Sequence, residues 1–189
     1  MNFDPILIVA GEPNSIFSEI LFKTLIKIKV KKPIVLIASN NLLKLQKKKL
    51  NFKKSIKLLN HQKLKQYKLN NKSINLIDIQ YDQKKPFEKI SNKSNKYIKD
   101  CFKMAFEIIK REKVIRFING PISKKYFLKK KFPGMTEYFA KKTFSYGNEV
   151  MLIFNKSLSV SPLTTHLPLK KIFTKITQQK IIKHSLAIN

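Results

Sequence analysis

Two continuous apolar runs near the start of the sequence indicate the class of fold. Pro5–Ala10 (PILIVA) and Pro33–Ala38 (PIVLIA) are each long enough for one strand, and no polar residue interrupts them. Strands of this kind are buried on both faces, as in a parallel sheet covered by helices. Gly11 closes the first run, which is typical of a strand that ends in a tight turn.

Segments with apolar residues at helical spacing alternate with these runs. The clearest is Ser94–Lys113. Its apolar residues on one face are Ile98, Phe102, Phe106 and Ile109. The other predicted helices are one from Ile16 to about Val30 capped by Ser15, a lysine-rich one from near Leu42 capped by Ser39-Asn40, and a last one capped by Thr177.

The remaining segments give weaker signals. Further strands are predicted at Ile74–Ile79, at Val114–Ile118, at Glu149–Phe154 and, as a short edge strand, at Leu158–Pro162. Leu58–Lys72 is ambiguous, and Tyr81–Asn92 is predicted to be loop. Strands that alternate with helices indicate an α/β class with a mostly parallel or mixed sheet. A length of 189 residues favours a single domain.

The net charge is extreme, but it is not distributed like that of a nucleic-acid-binding surface. The sequence has 40 Lys and Arg residues against 11 Asp and Glu residues, a formal charge of +29. The lysines are spread over the whole sequence, and Arg111 and Arg116 are the only arginines. Nucleic-acid surfaces usually cluster Arg and Lys with aromatic residues and Gly. We interpret the charge as surface background, and nucleic acid is not predicted to be the main partner.

Cysteine usage and the first residues indicate a reducing compartment. Cys101 is the only cysteine, so no internal disulfide can form, and its position on a predicted helix indicates simple packing. Asp4 and Pro5 stand where a signal peptide would have basic residues, and no apolar run approaches transmembrane length. We therefore expect a cytoplasmic protein with no membrane segment.

Two stretches concentrate the residues that could carry chemistry. The first is Arg116–Ala140, and the second is Ser161–Leu169, in which His166 lies between two threonines and a proline. Small residues, hydroxyls, a lysine and a histidine after strand ends are how open α/β sheets build ligand sites. An imidazole can bind a metal or act as an acid or base, but a lone histidine is more often packed or solvated. His61 and His184 have no comparable context.

Lys124 and Thr136 each allow two interpretations. Lys124 follows Ser123 at the predicted start of a helix, where an ammonium and exposed amides suit a phosphate or carboxylate. It is equally consistent with a solvated lysine. Thr136 can cap a helix whose dipole Glu137 complements, or it can donate to a phosphate. The sequence does not decide between these roles.

Four segments in order carry a resemblance to a known family. They are GEPNSIFSE (Gly11–Glu19), NGPISK (Asn119–Lys124), FPGMTE (Phe132–Glu137) and TTHLPL (Thr164–Leu169). Together they resemble the 4-hydroxythreonine-4-phosphate dehydrogenase family of pyridoxal 5'-phosphate biosynthesis, with patterns close to GDPAGIGPE, TGPINK, FTGHTE and TTHLPL. The resemblance runs from near Gly11 to Ile176 and covers the N-terminal part of the family's chain.

The resemblance implies an isocitrate/isopropylmalate dehydrogenase-like α/β fold and a homodimer with its active site at the subunit interface. It also implies that NAD or NADP oxidises the secondary alcohol of a phosphorylated substrate, which then loses CO2. A divalent metal (Zn, Mg or Co) held by three histidines would act as Lewis acid. His166 corresponds to one of these ligands, and Met135 and Thr136 correspond to a His-Thr pair that contacts substrate.

Three departures separate this sequence from the family pattern. Met135 replaces the family's histidine, and a thioether cannot donate a hydrogen bond to a phosphorylated substrate. The loop Asn14–Ser18 lacks the family's further glycines. The family's NPHAGE and YHDQG segments, which supply the other two metal histidines and further substrate contacts, do not occur in the sequence.

We therefore expect residues 1–189 to form a single incomplete dehydrogenase-like unit, a truncated or degenerate member of this family. It keeps Thr136 and His166, with Lys124 as a weaker candidate for substrate binding. A second copy, or a partner chain that carries the missing half, would complete the site. The alternative is a non-catalytic protein that binds anions or nucleic acid on the same scaffold, with a steep dependence on salt.

Overall fold

The structure, a computed structural model, describes residues 4–114, 116–129, 131–143, 145, 147–165 and 167–189. The chain divides into two compact units, Met1–Lys129 and Lys130–Asn189. Their boundary falls inside Arg116–Ala140, the stretch in which the sequence predicts a ligand loop. That the whole chain works as one incomplete dehydrogenase-like unit stays a prediction.

Strands and helices alternate through the first unit. Its elements are β1 (Ile6–Val9), α1 (Phe17–Lys27), β2 (Ile34–Ala38), α2 (Asn40–Lys49), β3 (Ile56–Leu58), a 3₁₀ helix (His61–Gln66), β4 (Ile74–Asp78), a second 3₁₀ helix (Asn92–Ser94), α3 (Asn95–Glu112), β5 (Arg116–Asn119) and a π-helix (Lys124–Leu128). The elements of the second unit are α4 (Met135–Lys142), 3₁₀ turns at Leu169–Lys171 and Phe173–Lys175, and α5 (Gln178–Ile188).

The strands of the first unit form one sheet in the order β3-β4-β2-β1-β5. β1 lies between β2 and β5, with Ile6 opposite both Ile34 and Arg116. Every strand pairing in the described sheet is parallel, which confirms the predicted α/β class. The chain adds β2 on one side of β1 and later β5 on the other. The carboxyl ends of β1 and β5 therefore form a topological switch point, the usual position of ligand sites in such sheets.

The hydrophobic core occupies both faces of this sheet, because successive strand residues point to opposite faces. On one face, Leu36 and Leu76 pack in a cluster with residues of α1 and α2. The rings of Phe22 and Phe52 stack in this cluster with their centroids 4.3 Å apart. The other face carries fully buried residues such as Leu7, and α3 contacts β1 and β2. Burial on both faces explains why the strand sequences are continuously apolar.

α3 confirms the clearest helix in the sequence. Its residues with no exposed surface are Ile98, Cys101, Phe102, Ala105 and Ile108. They follow helical spacing, although Ile109 of the predicted face is only half-buried. The predicted packing role of Cys101 is confirmed. α3 also contacts the end of β2, because the Ser39 N–H donates to the Tyr97 hydroxyl at 3.0 Å.

Two predicted helix caps are confirmed. The Ser39 hydroxyl accepts a hydrogen bond from the Leu42 N–H at 3.3 Å, and the Thr177 hydroxyl accepts one from the Lys180 N–H at 3.2 Å. α2 begins at Asn40, slightly before the predicted start near Leu42. In both helices the hydroxyl satisfies one of the first backbone N–H groups, which have no partner within the helix.

The predicted cap of α1 is wrong. Ile16 occupies the N-cap position and provides no side-chain hydrogen bond. The Ser15 hydroxyl instead accepts from the Phe17 N–H at 3.3 Å within the preceding turn. α1 also ends before Val30, because the backbone at Ile28 is extended with φ −118° and ψ 125°. Serine forms such local turns as readily as caps, so the residue type does not distinguish them.

β3 is a strand that the sequence does not predict. It has three residues, and its burial pattern is mostly exposed because it lies at an edge of the sheet. The ambiguous stretch Leu58–Lys72 contains the last residue of β3 and the 3₁₀ helix around the buried Leu64.

The strand predicted at Ile74–Ile79 is confirmed as β4, and Tyr81–Asn92 is loop except for its final residue, as predicted.

The predicted strands at Glu149–Phe154 and Leu158–Pro162 are wrong. Among the described residues of these segments, backbone pairing is limited to one isolated antiparallel bridge between Ile153 and Val160. Ile153 is 60% exposed and Phe154 is 75% exposed. A strand needs a neighbouring backbone along its length to satisfy its N–H and C=O groups. Here the two segments pair at a single position, so the apolar residues do not enter a sheet.

Gly11 and Gly120 allow two loops to touch at the carboxyl ends of β1 and β5. The Gly120 N–H donates to the Val9 carbonyl at 2.7 Å, and the Glu12 N–H donates to the Pro121 carbonyl at 2.8 Å. Gly11 has a φ of +77°, and a Cβ there would lie 2.6 Å from the Pro121 oxygen. Both positions therefore need glycine, Gly11 for its conformation and both for the close approach of the two backbones.

We expect Gly120→Ala to destabilise the first unit strongly. The new Cβ would lie 2.1 Å from the Ala10 carbonyl oxygen and 2.7 Å from the Phe17 ring, so the backbone would have to move. The expected loss in the free energy of unfolding is about 3 kcal/mol, measured by urea denaturation. Gly134→Ala is the control, because its nearest neighbour is a flexible Glu137 oxygen at 3.0 Å. Equal midpoints for the two variants would contradict this view of the loops.

Burial raises the pKa of the Cys101 thiol from 9.0 to about 12. We therefore expect the native chain to react very slowly with a thiol reagent such as DTNB, and the chain in concentrated guanidinium chloride to react fast. Between pH 9 and about 12 the unfolded chain loses the thiol proton and the folded chain keeps it. Stability should therefore fall across this window more steeply for the wild type than for Cys101→Ala. Parallel pH profiles would rule this out.

Candidate functional site

A buried carboxylate connects the loop after β1 to the start of α3. Glu12 is 2% exposed, and its carboxylate accepts hydrogen bonds from the Ser94 hydroxyl at 2.8 Å and from the Asn14 N–H at 3.3 Å. Ser94 directly precedes α3. A carboxylate this deeply buried is costly unless it is hydrogen-bonded, so these two donors fix the conformation of the loop.

The same loop is anchored by amide side chains. Asn14 and Gln83 exchange hydrogen bonds of 3.1 and 2.9 Å, and the Glu88 N–H donates to the Asn14 side chain at 2.8 Å. Burial, followed by the nearby carboxylates of Glu12 and Glu88, raises the pKa of Tyr81. Side-chain contacts to the segment between β4 and α3 thus hold the loop after β1, in which Asn14–Ser18 lacks the family's further glycines.

Lys124 is the first residue of the π-helix Lys124–Leu128, and its side chain is exposed. The helix predicted to start here is therefore present, but it is a single turn in which the Lys129 N–H donates to the Lys124 carbonyl at 3.2 Å. Ser123 precedes it without a side-chain cap. A role for Lys124 in binding substrate stays a prediction.

The second unit contains a cavity of about 350 Å³. Three threonines line it: Thr136 from the motif FPGMTE, and Thr164 and Thr165 from the motif TTHLPL. The structure therefore brings threonines of these two predicted motifs to one cavity. Its volume lies near the lower end of the range for small-molecule sites.

Thr136 is the second residue of α4 and does not cap it, which corrects one of its two predicted roles. Gly134 occupies the N-cap position, with extended backbone and no side-chain hydrogen bond. Glu137 lies in the first turn of α4, where a carboxylate complements the helix dipole as predicted. Met135, which stands where the family has histidine, is half-buried at the first position of the helix.

His184 of α5 also lines the cavity, although its sequence context does not indicate a site. The Ser161 hydroxyl donates to the Met151 carbonyl at 2.6 Å and lies 2.6 Å from His184 Nε2. A serine hydroxyl has one hydrogen, so the hydrogen in the second contact must come from Nε2. Ser161 therefore fixes His184 as an Nε2–H donor. The spacing of His184 from Lys180 on one helical face is the signal that was available in the sequence.

The described residues do not contain a three-ligand metal site. None of their His, Cys, Asp and Glu side chains form a group of three or more that could hold a metal ion. His166, the predicted metal ligand, lies outside the described residues. The described donor groups therefore do not fit a metal held by three protein ligands.

In the part of the chain that the structure describes, no helix combines the length and the apolar character needed to cross a membrane.

Comparison with known proteins identifies the family of this chain. Residues 29–189 match the sequence model of a protein family described as pyridoxal phosphate biosynthetic protein PdxA. The chain belongs to the PdxA family. This confirms the resemblance that the four sequence motifs carry.

Two curated PdxA relatives match nearly the whole chain. The 4-hydroxythreonine-4-phosphate dehydrogenase of Sulfurihydrogenibium sp. (strain YO3AOP1) is 32% identical over an alignment 189 positions long, which covers 96% of this chain and 56% of the relative. That of Pseudoalteromonas translucida (strain TAC 125) is 28% identical over 97% of this chain and 56% of the relative. The chain thus spans a little over half the length of these relatives.

Solved structures share the fold of this PdxA chain. A 4-hydroxythreonine-4-phosphate dehydrogenase from Burkholderia phymatum has a TM-score of 0.79 at 20% identity, covering 98% of this chain and 57% of the other. The enzyme from Klebsiella pneumoniae has a TM-score of 0.77 at 20% identity, covering 96% and 57%. The predicted isocitrate/isopropylmalate dehydrogenase-like fold class is therefore confirmed.

We expect NMR of this PdxA chain to show a hydrogen on Nε2 of His184 whose signal is protected from exchange with water. Ser161→Ala removes the acceptor, so exchange should become faster and the signal should weaken. Ser159→Ala is the matched control, because the Ser159 hydroxyl donates to the Asn155 carbonyl at 3.3 Å. A hydrogen on Nδ1 instead, or an unchanged signal in Ser161→Ala, would contradict the assignment.

Proposed function

We propose that this PdxA chain takes part in the 4-hydroxythreonine-4-phosphate dehydrogenase reaction of pyridoxal phosphate biosynthesis. In this reaction NAD or NADP oxidises the secondary alcohol of 4-phosphohydroxy-L-threonine, and the resulting β-keto acid loses CO2. The observation that carries the proposal is the family match over residues 29–189. The names of the two relatives that match nearly the whole chain support it.

Hydroxyl groups of the cavity supply donors for a phosphorylated substrate in this proposal. Thr136, Thr164 and Thr165 line a volume of about 350 Å³, which suits a small substrate. Each hydroxyl can donate one hydrogen bond and accept others. Thr136 would donate to a substrate oxygen, whereas Met135 would contribute apolar contact in place of the family's histidine.

We include a divalent metal (Zn, Mg or Co) in this proposal because His166 corresponds to a metal ligand of the family that the sequence resembles. A bound metal would polarise substrate oxygens as a Lewis acid. The described His, Cys, Asp and Glu side chains do not form such a site, so further ligands would have to come from outside the described residues. NAD or NADP is proposed on the family's activity as a dehydrogenase.

Exposed apolar residues of the second unit support an assembly. Among its described residues, Tyr138 and Ala140 alone are buried, whereas Leu169 is 85% exposed and Phe173 is 75% exposed. Apolar surface of this extent is typical of interaction sites. We propose that a homodimer, or a partner chain carrying the rest of the family fold, covers it. The coverage of 56% of the relatives' length is consistent with either arrangement.

The enzymatic proposal is favoured over binding without catalysis. The alternative, an anion- or nucleic-acid-binding protein on a degenerate scaffold, has the net charge of +29 as its support. The basic residues behind that charge are spread along the whole sequence, whereas the family model matches residues 29–189, a range that contains three of the four motifs. A cytoplasmic location is proposed with the biosynthetic role.

We expect the purified chain to bind 4-phosphohydroxy-L-threonine, and we expect reduction of NAD with a divalent metal to require the second copy or partner chain that completes the site. Thr136→Val removes one hydroxyl while keeping the side-chain volume, so the substrate affinity or the rate should fall about tenfold. Calorimetry measures the affinity, and the absorbance of the reduced cofactor measures the rate. Thr143→Val is the control, because the Thr143 hydroxyl donates to the Phe139 carbonyl at 2.9 Å near the end of α4.

His166→Ala tests the proposed metal ligand in the same assay, with loss of metal-dependent activity as the expected result. A folded chain that neither binds the substrate nor reduces the cofactor would overturn the proposal for this chain. Equal effects of Thr136→Val and Thr143→Val would remove Thr136 from the site. Circular dichroism of each variant establishes that the fold is retained.

A further inference from the structure

A much smaller cavity lies in the first unit, at the carboxyl ends of β1 and β2. Ala10, which directly follows β1, and Ala38, which ends β2, both line it. Its volume is about 20 Å³. A single water molecule needs roughly 10 to 15 Å³, so the cavity has room for one water, whereas organic ligands need far larger sites. The cavity lies at the end of the sheet where parallel strands usually present their ligand-binding loops.

Buried polar residues are concentrated around this small cavity. Among the described residues, six polar or charged ones, tyrosine aside, are buried. Four of these six line the cavity: Glu12, Ser18, Ser39 and Gln46. Apolar residues such as Leu42 and Leu43 form much of the remaining wall. A buried polar group costs free energy unless it is hydrogen-bonded, so a group of them around one cavity calls for an account of their partners.

Ser18 is the member of this group whose hydroxyl lacks a partner. The residue is 2% exposed, and its side-chain oxygen is buried without a hydrogen bond to any described residue. A serine inside a helix usually points to solvent or donates to the carbonyl four residues earlier, which here belongs to Asn14. Ser18, the second residue of α1, does neither. Its hydroxyl therefore points to a small polar molecule in the cavity that Ser18 lines.

Glu12 and Gln46 supply acceptors for such a molecule. The Glu12 carboxylate accepts two hydrogen bonds from the protein, whereas a carboxylate can accept about four. The side-chain nitrogen of Gln46 donates to the backbone carbonyls of Pro13 and Pro86 at 2.9 and 3.0 Å, which uses both of its hydrogens. The side-chain oxygen of Gln46 is therefore the group that this residue has left for a further hydrogen bond.

We propose that this cavity binds a single water molecule that bridges Ser18 of α1, the Glu12 carboxylate and the Gln46 side chain of α2. The water accepts the hydrogen of the Ser18 hydroxyl and donates its own two hydrogens to the Glu12 carboxylate and the Gln46 oxygen. It thereby satisfies the hydroxyl and gives Glu12 a further hydrogen bond. Because Glu12 also contacts the residue before α3, the water connects the loop after β1 to α1 and α2 as well.

A high-resolution crystal structure of the full-length chain tests the site directly. We expect electron density for one water within hydrogen-bond distance of the Ser18 hydroxyl, the Glu12 carboxylate and the Gln46 side-chain oxygen. A cavity without such density would overturn the proposal. So would a Ser18 hydroxyl that donates to the Asn14 carbonyl, because the hydroxyl would then need no further partner.

The stability of Ser18→Ala gives a second test, in which the sign of the change decides. Without a bound water, the variant removes an unpaired buried hydroxyl and introduces a better helix former, so its urea midpoint would rise. With the water, it removes a hydrogen bond, and we expect the midpoint to fall by about 0.5 M. Ser55→Ala is the control, since Ser55 is exposed in the same unit, and its midpoint should not change. A higher midpoint for Ser18→Ala, or an equal fall in both variants, would contradict the bridging water.

A sodium ion is the competing occupant, because Glu12 takes part in none of the ion pairs among the described residues. The urea midpoint of the wild type is therefore compared in sodium chloride and in choline chloride at equal ionic strength. Water in the cavity predicts equal midpoints. A higher midpoint in sodium chloride that disappears in Ser18→Ala would identify a cation site and overturn the assignment to water.

Discussion

The close contact between the loops after β1 and β5 is the constraint on which the first unit depends. The backbones can touch because Gly11 and Gly120 have no Cβ, and their loops are joined by hydrogen bonds of 2.7 and 2.8 Å. This contact positions Glu12 so that its buried carboxylate reaches the Ser94 hydroxyl before α3. The position of α3 on the sheet and the conformation of the loops at the switch point are therefore linked through one glycine contact.

The fold of the first unit was predictable where local sequence and burial agree. The runs that became β1 and β2 are apolar throughout because both faces of the sheet are covered, and Ser39 caps α2 through a contact within one turn. β3 was not predictable, since three edge residues carry almost no periodic signal. Glu149–Phe154 has the composition of a strand, but a strand forms only where a neighbouring backbone pairs with it. Among the described residues of this segment, Ile153 alone pairs with another backbone segment, at Val160.

The sequence predicted the motifs that supply threonines to the candidate site, but it did not predict the other residues that line the cavity. Thr136 and Thr164 stand in segments whose residue types and order are informative, and both line one cavity. The local role of Thr136 was not predictable, because threonine suits a cap and the first turn alike and Gly134 takes the cap. His184 enters the cavity through tertiary packing, and Ser161 fixes its orientation. His166, on which the metal hypothesis depends, lies outside the described residues.

The second unit leaves many apolar side chains in contact with water. Apolar residues such as Met151 and Leu163 line its cavity together with lysines and threonines, while Ile182 and Leu186 of α5 are 51% and 72% exposed. Burial of one such side chain contributes roughly 1.5 to 3 kcal/mol, so leaving many of them in water removes the main driving force for folding. The exposed apolar side of α5 is therefore the feature of the second unit that supports the proposed homodimer or partner chain.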